Sequence, residues 1–188
     1  NIICTDNARI AIYNLTETFD ESFLIRAGLV SELSKFDAKQ ICVSDAWVNF
    51  LAEDKSVFSA RRVRGDGLDF YLEVLDGFDG KALQLPDGLK EIVNAASVMS
   101  SNDDDKEMGI TLKDGEMICT TQNERGWVEK SITVEGMKKS EMELNVSAVH
   151  LAQILDLPDI KMTVGDGKSL FESGNFKYIL ETLFLFFS

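Results

Sequence analysis

The chain has 188 residues, 45% of them hydrophobic, with 32 acidic and 19 basic side chains and a formal charge of −13. That size and apolar content specify one or two folded domains with a real core and exclude an intrinsically disordered chain. No apolar run reaches the ~18–20 residues of a membrane span, and the negative balance excludes indiscriminate attraction to nucleic acid over the whole surface.

Asn1–Leu15 is apolar around one polar island, Thr5-Asp6-Asn7-Ala8-Arg9. Asp6-Asn7 is turn chemistry, so two strands meet there. Because Asn1–Asn14 already reads as strand, the chain is expected to begin inside a domain. Thr16–Ser22 is a polar connection. Gly28–Phe36 then has helical spacing, with Leu29, Val30, Leu33 and Phe36 on one stripe. A strand pair, Ile41–Phe50, and a further strand, Ser56–Val63, follow. Alternation sends Arg62 and Arg64 to one side of that last strand and Arg61 to the other.

Leu68–Lys81, with Gly77, Gly80 and no clear period, is the expected boundary between a first domain, 1–76, and a second, 81–188. Past it, Leu89–Met99 reads as a helix with Leu89, Ile92, Val93 and Ala96 buried and Asp87 as its cap. Ser100–Glu107, with three adjacent aspartates, reads as a solvated loop, because consecutive side chains diverge and no second ligand cluster stands at chelating spacing. Ile110–Cys119 forms a hairpin turning at Asp114-Gly115, and Trp127-Val128 opens another strand. Ser147–Leu155 is again helical, and Asp159–Phe184 reads as strand, turn, strand, turn, strand. Leu183–Phe187 is apolar throughout and fits a final strand or an adhesive tail.

Three stretches share one pattern: ICVSDAWVNF, ITLKDGEMIC and MTVGDGKSLF. Each alternates, places Asp and a small residue at the turn, and alternates again. With a helix before each, the unit is strand, helix, strand, strand, strand. It recurs at about 50 residues, a period typical of repeat architectures. The expected class is therefore α+β, built of repeated β-α-β-β-β units with helices on one face of antiparallel sheets.

Chemistry is sparse. His150 is the one histidine and sits within a helix, where it reads as structural. Cys4, Cys42 and Cys119 lie in apolar strand patterns and are expected as buried, reduced thiols of a cytoplasmic protein. No dinucleotide fingerprint, Walker loop or zincin motif is present. No metal or cofactor site is expected. The carboxylates are scattered, so a hydrolase with a carboxylate pair is the weaker reading beside a non-enzymatic protein.

The order of four segments is similar to that of the bacterial DNA polymerase III beta subunit, the beta sliding clamp. TDNARIA (Thr5–Ala11) resembles the family's TDGHRLA, and FSARRVRGDGLDF (Phe58–Phe70) resembles its stretch ending in DGxFPDY. AASVMSSN (Ala95–Asn102) resembles AAILSN, and YILETL (Tyr178–Leu183) falls where the family carries Y-x-x-M/L-P-x. Asn7-Ala8 replaces Gly-His, Leu68 replaces Pro, and Glu181-Thr182 replaces an apolar-Pro ending; a divergent clamp, such as one carried by a phage or mobile element, fits these departures.

The resemblance implies a non-enzymatic processivity factor that encircles double-stranded DNA without reading sequence. Its implied partners are DNA polymerase and the clamp loader, and its implied state is a homo-oligomeric ring, dimeric if a full subunit has three domains. Residues 1–76 would be the C-terminal part of the middle domain and 81–188 the last domain. The matching partner-peptide cleft would comprise Thr5, Asn7, Arg9, Ile10, Leu68, Val74, His150, Ile179, Glu181 and Leu183. Arg26, Lys35, Arg61, Arg62 and Lys90 would face DNA, with Glu32 and Glu91 partly cancelling them, and Val98 and Met99 would lie at a subunit interface. A β-rich interaction module with no DNA role is the other class the sequence leaves open.

Overall fold

A computed structural model describes residues 1–6, 9–19, 21–65, 74–75, 77–99, 107–124, 126–134, 142–165 and 167–185, with the backbone alone at 99 and 183–185. Its contacts divide the chain into two compact units, Asn1–Asn14 with Val74–Ser188, and Leu15–Glu73.

The larger unit contains two complete β-α-β-β-β repeats. The first is β6 (Lys81–Leu83), α2 (Leu89–Met99), β7 (Glu107–Lys113), β8 (Glu116–Asn123) and β9 (Gly126–Thr133). The second is β10 (Met142–Ser147), α3 (Ala148–Ile154), β11 (Lys161–Val164), β12 (Lys168–Ser173) and β13 (Phe176–Glu181). The repeats exchange their first strands: β6 pairs with β11 and β10 pairs with β7, all antiparallel. Neither repeat completes a sheet alone, so the exchange fuses them into one body.

Two further strands, β1 (Ile2–Thr5) and β2 (Arg9–Tyr13), extend one sheet through β2–β13 pairing, giving the order β1-β2-β13-β12-β11-β6. The chain then crosses at Thr182 to β14 (Leu183–Leu185), which pairs with β10, so the other sheet is β14-β10-β7-β8-β9.

Alternation explains the core. In β7, β8 and β10 every second residue is buried, Met108, Ile110 and Leu112 among them, while their neighbours are not. Leu89, Ile92, Val93 and Ala96 of α2 and Ala148, Leu151 and Ile154 of α3 cover that face in one continuous cluster with Phe171 and Leu180. The Asp114-Gly115 turn has φ of 52° and 84°, the left-handed pair that a two-residue hairpin needs. Ser147 caps α3 by accepting from the His150 N–H. Ahead of α2 stands Gly88, whose carbonyl accepts from the Ile92 N–H, so the position expected for Asp87 belongs to glycine.

The smaller unit holds one helical turn and a three-stranded sheet: α1 (Val30–Leu33), β3 (Gln40–Val43), β4 (Trp47–Leu51) and β5 (Val57–Arg61). Val48, Phe50 and Ala60 are its buried centre, with Phe23, Leu29, Leu33, Phe36 and Phe58 packed around it. The helix expected over Gly28–Phe36 is instead a 3-10 turn, Ala27–Leu29, followed by the short α1. Beyond Leu33 the bonds tighten to i,i+3, and the Ser34 hydroxyl bonds back to the Ser31 carbonyl, competition that shortens helices. Val30, expected in the stripe, is 49% exposed. Only Cys119 is buried among the thiols; Cys4 is exposed on the edge strand β1, and Cys42 on the sheet face opposite Val48, Phe50 and Ala60.

Candidate functional site

Three residues far apart in sequence meet on the six-stranded sheet. Ile10 pairs with Thr5 on one side and with Ile179 on the other, so all three point to one face. Ile12, two residues along β2, and Leu170, opposite Ile179, extend this apolar row; Ile12, Ile179 and Leu170 are buried and Ile10 and Thr5 half-buried. Glu181 lies two residues beyond Ile179 and is exposed, an acidic end to the row. The Thr5 hydroxyl donates to the Arg9 carbonyl at 2.9 Å and closes the turn between β1 and β2.

Arg9 turns the other way. It pairs with Leu180, on the face that carries Tyr178 and Leu180 towards the helices. Its Nε donates to Asp6 Oδ2 at 2.6 Å. Partial burial lowers the guanidinium pKa, but the bonds to Asp6 and Tyr178 outweigh it and the net shift is upward. Burial raises the Tyr178 phenol against the opposing pull of Arg9. His150 is half-buried on α3, in the helix layer rather than in the row, and Val74 is half-buried. Leu183 lies on β14, in the other sheet. Asn7 and Leu68 lie outside the described residues. Alternation along β2 was the signal that could have added Ile12.

The basic candidates are dispersed. Arg26 is exposed ahead of the 3-10 turn. Lys35 is paired with Glu32 at 2.9 Å, and Lys90 with Asp156 at 2.8 Å, from the loop after α3. The Asp156 carboxylate raises the Lys90 pKa. Arg62 Nη2 donates to the Ser22 carbonyl at 3.1 Å, holding the segment before α1. Arg61 pairs with Trp47 on the outer face of its sheet, opposite the face of Val48, Phe50 and Ala60. Val98 on α2 is 70% exposed. The Ser100–Glu107 loop lies almost wholly outside the described residues. Among the described residues no acidic, His or Cys group of three is placed to hold a metal, and no helix is long and apolar enough to cross a membrane.

No protein-family model matches the chain, and no curated protein matches its sequence. Solved structures do match. The DNA polymerase III subunit beta of Pseudomonas aeruginosa superposes with a TM-score of 0.78 at 15% identity, covering 96% of this chain and 54% of that one. A Bartonella birtlesii sliding clamp bound to griselimycin gives 0.76 at 18%, covering 96% and 53%. Caulobacter crescentus pol III beta gives 0.81 at 16%, covering 96% and 53%. The fold is that of the beta sliding clamp. This chain spans about half the length of the clamp structures it matches. Both intact repeats and the crossing from β13 to β14 thus share the clamp fold, and the apolar row on β1, β2 and β13 lies on one of its sheets.

Proposed function

We propose that the chain is part of a sliding clamp, a non-enzymatic processivity factor that encircles double-stranded DNA and tethers DNA polymerase, clamp loader and other replication proteins. The observation that carries this reading is the clamp fold over 96% of the chain. In this reading 1–76 is the C-terminal part of the middle domain and 81–188 the last domain. A closed ring works by topology: it keeps the tethered enzyme at high effective concentration without gripping bases. Sequence-independent sliding needs only a few phosphate contacts, for which Arg26, Lys35, Arg61, Arg62 and Lys90 are the proposed cations. Ring closure between copies is supported by the exposure of Val98 next to Met99 on α2, an apolar residue fit for burial by a partner.

Partner peptides would bind over the Thr5–Ile10–Ile179 row with Arg9 as a support of the β1–β2 turn; His150 in the helix layer and Leu183 on the other sheet stand apart from that row. Glu181 adds an acidic rim that favours peptides with a basic flank. The test is titration of a fluorescent Leu-Phe clamp-binding peptide. Ile10→Ala removes apolar wall from a half-buried position and should weaken binding by roughly 1–3 kcal/mol. Equal affinity for parent and variant, both folded, rejects the cleft. One observation favours the alternative of an interaction module with no DNA role: Lys35 and Lys90 are both paired with carboxylates. Absence of salt-sensitive duplex binding alongside intact peptide binding would select it.

A further inference from the structure

The smaller unit carries a shallow, open recess of about 370 Å³ lined by Ser44, Trp47, Asn49 and Ser59. It lies on the face of the β3–β4–β5 sheet that α1 does not cover. Trp47 is 47% exposed there, an unusual place for an indole with no apolar cover. Arg61 is its direct cross-strand neighbour, about 4.5–5.5 Å away at Cβ, and has no acidic partner among the described residues. On the next rung Ser59 donates to Asn49 Oδ1 at 2.7 Å, which fixes the amide. Ser44 is held on the Trp47 backbone by two bonds, 3.0 and 3.2 Å. Cys42 is the exposed cross-strand neighbour of Asn49 on the third strand.

We infer that this recess binds one nucleotide of a single-stranded nucleic acid, its base stacked on Trp47, its phosphate on Arg61 and its base edge on Asn49. The chemistry selects that class. An open indole face accepts any flat π system, a lone guanidinium calls for an anion, and a fixed amide reads a polar ring edge. A neutral sugar would leave Arg61 unpaired. A duplex keeps its bases stacked inside and offers nothing to the indole. The −13 charge opposes diffuse phosphate attraction, so binding rests on stacking and one ion contact and has a shallow salt dependence. The site goes beyond the ring reading: it shares Arg61 with the DNA-facing set, but Trp47 and Asn49, which would hold the base, belong to no part of that set.

The test is titration of the full chain with oligo(dT), oligo(rU), a matched duplex and a neutral glucan, in a Trp127→Phe background so that emission reports Trp47 alone. Both single strands should quench Trp47 and slow maleimide labelling of Cys42 while leaving Cys4 labelling unchanged. Trp47→Ala should weaken binding about five- to a hundredfold. Arg61→Ala should remove a salt slope of about −0.7, the value for one phosphate on a single strand. Trp47→Phe, which keeps a stacking face, should recover part of the affinity. Quenching by the glucan, equal quenching of Trp47 by the duplex, or single-strand binding that Trp47→Ala leaves unchanged would each overturn the assignment.

Discussion

Gly80→Ala tests the strand exchange that joins the two repeats. A Cβ at Gly80 would stand 2.5 Å from the Val164 carbonyl oxygen, 2.8 Å from its carbon and 3.0 Å from Thr163 Cγ2. Two of these three atoms are backbone of β11, which cannot rotate aside. Gly165 faces the same crowding from the Asp79 carbonyl at 2.7 Å, so the two glycines allow the chains to approach from both sides. Relief requires β6 to separate from β11 by most of an ångström, an overpacking strain of about 1–3 kcal/mol. Restricting the unfolded chain returns about 0.4–1 kcal/mol. The net loss, roughly 1–2 kcal/mol, lowers the melting temperature by about 2–8 °C for a body of this size. Hydrogen exchange should speed up at Ala82 and Leu83 on β6 and at Met162 on β11, which pair there, before it does in β7–β9. Gly28→Ala is the control, because nothing lies within 4 Å of its Cβ. An unchanged melting temperature with unchanged exchange in β6 would refute the close-approach argument.

The remaining predictions concern thiols, assembly and charge. Burial lifts the Cys119 thiol from its ordinary value near 9.0 to about 11. Between those values the unfolded chain loses a proton that the folded chain keeps, so stability falls as pH rises from about 9 to 11, by about 1.4 kcal/mol per unit at most. Chemical denaturation across that range should show the fall in the parent and a smaller one in Cys119→Ala, while a thiol-reactive label reaches the exposed Cys4 and Cys42 of the native chain before buried Cys119. Val98→Glu should leave the fold intact, since the side chain is exposed, and abolish self-association in light scattering; unfolding would assign Val98 a core role. Asp156→Asn should change stability by less than about 1 kcal/mol, as an exposed pair does. By freeing Lys90 it should also tighten low-salt duplex binding, and an unchanged affinity would remove Lys90 from the DNA-facing set.

Local patterns were legible because they depend on neighbours along the chain. The Asp114-Gly115 turn, the α2 stripe of Leu89, Ile92, Val93 and Ala96, and the repeated β-α-β-β-β order all follow from period and turn chemistry, and each stands in the structure as read. The first helix is shorter than its spacing predicts: Leu29, Val30, Leu33 and Phe36 have helical spacing, whereas Ser34 bonds back to Ser31 and leaves a single turn. The thiols differ from expectation for another reason: whether Cys4 or Cys42 is covered depends on strand order and on which sheet face the helices cover.

Sequence alone determined which segments become strands and helices, because a period of two or 3.6 fixes which side chains share a face. It also carried the residue order that resembles a clamp. Only tertiary structure decided that β6 and β10 change places between repeats, that Thr5, Ile10 and Ile179 form one row while Arg9 turns from it, and that Trp47 stands open beside Arg61. Those outcomes depend on register between strands distant in sequence. A one-residue slip there would reverse every face, and no local period specifies it.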